Sequence, residues 1–114
     1  MLDRKRIWNM AALLACALAL PASLAAAQES GDKRHGQALA EQVCAECHAV
    51  HRDERASPHG QAPSFVSVAN KRGMTGTALR VWFQVPQRSM PDLTIGEMDG
   101  DDLIAYILSL KTPR

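Results

Sequence analysis

Three stretches of this chain repeat apolar residues at helical spacing. From 31 to 48, Leu39, Ala40, Val43 and Cys47 recur every three to four residues, a narrow stripe that predicts a helix with Asp32 at its N-cap. Gly36 interrupts it at a cost of about 1 kcal/mol relative to alanine, so it is either tolerated or lets another helix come close. A second helix is predicted from Thr75 or Thr77 to about Gln84, with Leu79, Trp82 and Phe83 on one side and Pro86 as its stop. Further on, Thr94-Ile95-Gly96-Glu97 matches a capping box, with Thr94 at N-cap and Glu97 at N3. The helix it opens runs to 110, with Leu103, Tyr106, Ile107 and Leu110 as its apolar face and Met98 in the core. Its acids Glu97, Asp99, Asp101 and Asp102 sit at the end the helix dipole favours. Residues 49–72 have no such period; Pro58, Gly60, Pro63 and the mixed charges of Arg52, Asp53, Glu54 and Arg55 predict a solvated loop. Three to four short helices make an all-α domain.

One further apolar run, 10–20, belongs to no helix of the fold. Arg4, Lys5 and Arg6 precede it, Pro21 breaks it, and Ala25-Ala26-Ala27 supplies small residues before Gln28. That order predicts a secretory signal peptide over 1–27 and a single domain over 28–114. The run falls short of the roughly 18–20 apolar residues that span a bilayer, so no membrane span is expected in the mature form. An uncleaved N-terminal anchor is the alternative. Export implies a periplasmic location.

Charge excludes one class of partner. The 114-residue chain has net charge +1, and 28–114 carries ten Lys/Arg against eleven Asp/Glu, which does not suggest nucleic acid. The distribution says more: residues 52–90 hold six bases and two acids, whereas both flanks are acidic. Aromatics are few, with Phe65, Trp82, Phe83 and Tyr106 after residue 27. So small a core usually needs a staple.

The chemistry concentrates in Cys44-Ala45-Glu46-Cys47-His48. Two cysteines three apart and an adjoining histidine are the pattern of c-type haem attachment, in which each thiol adds to a vinyl group and the imidazole turns onto the iron. On a helical turn both cysteines share a face. A zinc half-site would need a second ligand pair, which is missing, and a thioredoxin-like pair would need a βαβ context. With Cys16 in the signal segment, no cysteine remains for a structural disulfide. A buried haem would be the staple, and the haem-free protein is expected to be largely unfolded.

The second axial ligand separates an electron carrier from an open haem. Met74, Met90, Met98, His35, His51 and His59 are the candidates. His51 is too near His48 to reach the opposite face, His35 shares the first helix, and Met98 is expected in the core. Met74 and His59 stay open, while Met90, held before Pro91, fits best. Pro63, beside Phe65, is the candidate carbonyl for the free ring N–H of His48, unless it only shapes its loop. Trp82 is read as a haem-packing or core residue. No nucleophile, base and oxyanion set stands out, and no enzyme is predicted.

In these residues the chain resembles the small bacterial class I mono-haem c-type cytochromes. The likeness runs from Gly36 and Leu39 through Cys44–His48, Ala62-Pro63-Ser64-Phe65, Leu79-x-x-Trp82 and Met90-Pro91 to Ala105-Tyr106-Ile107-x-Ser109-Leu110. It implies the cytochrome c fold: short helices wrapped around one haem c bound covalently through Cys44 and Cys47, with first and last helices crossing and Gly36 near Tyr106. It also implies iron held by His48 and Met90, and Pro63 as acceptor for His48. The implied function is a one-electron Fe(III)/Fe(II) carrier between periplasmic redox proteins. Arg52, Arg55, Lys71, Arg72, Arg80 and Arg88 form the expected basic rim for docking, or are ordinary solubilising charge. The alternatives are an electron-transfer subunit of a periplasmic dehydrogenase and a five-coordinate haem protein for ligand binding or peroxidase chemistry.

Overall fold

A computed structural model describes residues 30–90 and 94–113. The expected signal segment 1–27 and Pro91 lie outside them. The described elements are helices: α1 (Lys33–Leu39), continued by a π-helical turn (Ala40–Cys44), then α2 (Phe65–Asn70), α3 (Gly76–Gln84) and α4 (Glu97–Ser109). All four belong to the all-α architecture expected from the sequence.

Local chemistry sets most of the boundaries. The Asp32 carboxylate caps α1 by accepting from the N–H groups of Arg34 and His35, at 2.8 and 3.3 Å. Thr75 caps α3 through Ala78 N–H, and α3 stops at Gln84, with Val85 extended before Pro86. Two starts differ from expectation. Ser64 accepts from Ser67 N–H and opens α2 inside the segment read as loop. The capping box does not form: α4 begins at Glu97 with Gly96 as N-cap and no side-chain cap. Ile95 packs against the core, which keeps the chain extended through Gly96 until the helix can start. Gly73 joins α2 to α3 at φ +78°, a conformation that favours glycine.

The core gathers on α4. Leu103, Ile104, Tyr106, Ile107 and Leu110 are buried there and meet Ala40, Val50, Phe65, Ala69 and Leu79 from the rest of the chain. Met98, expected in the core, is 82% exposed in the first turn of α4. Trp82 is not a core residue either, being 54% exposed. On α3, Leu79 and Phe83 are four apart and take the inward direction, leaving Trp82 on the flank.

The crossing of α1 and α4 is set by backbone contact. A β-carbon at Gly36 would overlap the carbonyl oxygen of Asp102, and one at Gly31 would overlap that of Asp101. Gly36 therefore meets Asp102–Leu103, one turn before the Tyr106 position implied by resemblance. Asp102 then ties the helices together. One carboxylate oxygen accepts from Asp32 N–H and the other pairs with Nδ1 of His35, both at 2.6 Å. The hydrogen bond to Asp102 holds the His35 imidazole above its ordinary value of 6.5, aided by the charges of Asp102, Asp99 and Asp32. The same bond, with that from Asp32 N–H, holds Asp102 below the usual carboxylate range.

Two predictions follow from this crossing. Gly36→Ala should destabilise the protein by about 2 kcal/mol or more in equilibrium unfolding, because overpacking against backbone outweighs the roughly 1 kcal/mol gained in helix propensity. An unchanged or raised stability would show that α1 can move away. For the His35–Asp102 pair, the fold favours imidazolium, so the histidine's contribution is complete below about pH 6.5 and fades as pH rises through its raised pKa. The fold also favours Asp102 carboxylate, whose contribution fades as pH falls through its lowered pKa. The stability gap between wild type and His35→Asn should be widest between about pH 4 and 6.5 and narrow on the alkaline side. A gap that stays level to pH 9 would contradict this.

Candidate haem site

The cysteine motif sits where α1 loses its regular ladder. Ala45 N–H donates to Ala40 C=O, five residues back, at 2.9 Å, so the turn before the motif is wider than an α-turn. Regular geometry returns at once, with His48 N–H donating to Cys44 C=O at 2.9 Å. This closes Cys44 to His48 into one turn, with both thiols free. Cys44 is half-buried and burial pushes its thiol pKa up, while Cys47 is exposed.

The segment after the motif is tied down on every side. Cys47 C=O accepts from His59 N–H at 3.1 Å, Ala49 N–H donates to Ser57 Oγ at 3.0 Å, and Ala49 C=O accepts from Phe65 N–H at 2.9 Å. From α4, the Tyr106 hydroxyl donates to Val50 C=O at 2.8 Å in a buried bond. Burial pushes the Tyr106 hydroxyl pKa up, so it stays a donor.

Nδ1 of His48 lies 2.7 Å from the carbonyl oxygen of Pro63. A carbonyl only accepts, so Nδ1 carries the proton. In the neutral ring Nε2 then keeps its lone pair, the form an iron ligand needs. The Phe65 ring lies beside the imidazole, with centroids 5.6 Å apart. No local pattern marks this contact, which depends on α2 forming inside the segment predicted as loop.

The remaining candidate ligands are spread around the fold. His35 pairs with Asp102, and Nε2 of His51 lies 3.4 Å from Glu41. His59 is exposed and accepts from Gln61 N–H at 3.4 Å. Met74 packs against the core, and Met98 stands in the open. Met90 is half-buried and closes a turn in which its N–H donates to Gln87 C=O at 3.2 Å.

Apolar surface lies open beside Cys44. A groove between the π turn and α4 is lined by Leu39, Val43, Cys44, Ile95 and Leu103, with Asp99 as its charged member. Val43 is 57% exposed there, although it belongs to the stripe expected to face inward. Two free thiols, one of them beside an apolar groove, and an imidazole with its outer nitrogen free suit the donor set of a haem.

A thiol–thiol–imidazole turn backed by a proline carbonyl, in an all-α fold with crossed terminal helices, defines a small c-type cytochrome. The chain belongs to that family: it is 31% identical over 96 residues to the cytochrome c-552 of Bradyrhizobium diazoefficiens, an alignment covering 84% of this chain and 91% of the relative. No family model matches the chain, and no solved structure matches it. Membership makes the protein a cytochrome electron carrier that works with haem and redox protein partners. Among the described residues, no helix is long and apolar enough to cross a membrane.

Proposed function

We propose that this protein is an exported carrier of single electrons, with one haem c attached through Cys44 and Cys47 and its iron held by His48 and Met90. The observation that carries the reading is the Nδ1–Pro63 contact, which leaves Nε2 of His48 as the free donor on the same turn as two free thiols. When bound, haem c supplies a reversible Fe(III)/Fe(II) couple.

Met90 is supported as the second ligand by what the other candidates do. His35 and His51 lie beside carboxylates, His59 is exposed with Nδ1 accepting from Gln61 N–H, Met74 packs against the core, and Met98 is exposed to solvent. A thioether opposite the imidazole favours Fe(II) and raises the potential relative to two histidines. Two protein ligands held by backbone hydrogen bonds need little movement between oxidation states. Pro63 keeps His48 in one tautomer, and Trp82, exposed on the flank of α3, is assigned to the haem wall.

Segment 1–27, read as a signal peptide, directs export, which makes the partners periplasmic redox proteins. Docking draws on the basic middle of the chain, though not on all six residues equally. Arg80 pairs with Asp101, and Arg52 donates to Ser109 C=O at 3.0 Å, so both also brace α4. Arg55, Lys71, Arg72 and Arg88 are exposed and are better placed to steer an acidic partner.

The exported protein should keep its haem through denaturing electrophoresis, and a Cys44→Ser, Cys47→Ser double variant should lose it. Haem that leaves the wild type under denaturation would refute covalent attachment.

A further inference from the structure

We propose that Phe65 is a positioning residue for His48, fixing the tilt of the imidazole plane about its anchored Cγ–Nδ1 edge. This rests on the reading of His48 as an iron ligand and deepens it.

One hydrogen bond does not orient a ring. The Cβ–Cγ bond and the 2.7 Å contact between Nδ1 and Pro63 O hold one edge of the imidazole, and the ring can still rock about that edge. Phe65 lies beside that ring. Its ring centroid is 5.6 Å from that of His48 with the planes inclined by 51°, inside the range where aromatic pairs attract.

Phe65 is itself held. The residue is 5% exposed and belongs to the core cluster. Its N–H donates to Ala49 C=O at 2.9 Å, one residue from His48, and Ser64 caps the helix that it starts. Residues 48–49 and 63–65 are thus joined three ways: imidazole to carbonyl, amide to carbonyl, and ring to ring. Main-chain hydrogen bonds and the core set the separation of the two segments, so the phenyl ring acts as a fixed wall.

The consequence is electronic. In a low-spin ferric haem, the orientation of the axial imidazole governs how its π orbital meets the iron d orbitals. That angle, together with the orientation of the Met90 thioether, sets the in-plane magnetic anisotropy, which spreads the haem-methyl NMR shifts and governs the rhombicity of the EPR signal. A residue that only filled core volume would leave both unchanged.

The test uses oxidised holoprotein as wild type, Phe65→Leu and Phe65→Met, the latter keeping apolar length without a rigid ring. Both variants should remain low-spin and unfold cooperatively, yet show a displaced spread of haem-methyl shifts and an altered EPR rhombicity. Either variant folding with the wild-type spread would overturn the proposal. Wild type alone gives a second readout. A braced ring makes the shifts follow inverse temperature, whereas a pivoting ring compresses and curves them and would also overturn it. Wild-type spectra lacking axial imidazole ring signals would remove both this inference and the assignment of His48. Imidazole signals with unmoved variants would remove the role of Phe65 alone.

Discussion

A neutral imidazole has one proton to place, and in His48 the carbonyl of Pro63 holds it on Nδ1 by accepting its hydrogen bond. The outer nitrogen is left as a base, and the rest of the site serves that arrangement. Pro63 can play its part because α2 starts immediately after it, capped by Ser64 and joined to Ala49 through Phe65 N–H. His48 can play its part because the turn from Cys44 is closed by its own N–H and the segment beyond is fixed by Ser57 and Tyr106. Metal-binding histidines depend on such outer contacts nearly as much as on the ligand itself.

The site hangs from α4 and its crossing with α1. Gly31 and Gly36 let α1 settle onto the backbone of α4, so the crossing has no side-chain layer to adjust. The His35–Asp102 pair lies on the surface of this contact, where ion pairs contribute little, and the glycine contact outweighs it. From that fixed crossing, the π turn carries the chain to Cys44 beside the Leu103 face of α4. Tyr106, one turn further along α4, reaches back to Val50. Helix crossing and haem motif thus form one mechanical unit.

Much of this was legible in the sequence, for local reasons. The spacing of Cys44, Cys47 and His48 states its own chemistry, Asp32 and Thr75 are strong caps, and Pro86 forbids continuation. What escaped depended on tertiary contacts. Thr94 and Glu97 have capping-box spacing, but the burial of Ile95 delays the helix. Ser64 before Phe65, Val66 and Val68 marked α2, and the prolines and charges around it masked the signal. Met98 and Trp82 are apolar by type, yet the narrow inward stripes of α4 and α3 leave them exposed. Gly36 left two readings that only the position of α4 separates. The contact between Phe65 and His48 joins residues distant in sequence, and no local pattern announces it.

The most direct test of a six-coordinate carrier is the absorption spectrum of exported, haem-loaded protein, oxidised and then reduced under carbon monoxide. The account predicts a low-spin spectrum with the weak long-wavelength band of sulfur-to-iron ligation, lost in Met90→Ala, and a reduced wild type that does not take up the gas. A high-spin wild type, or one that binds carbon monoxide readily, would mean an open iron and a protein built for ligand chemistry instead of electron transfer.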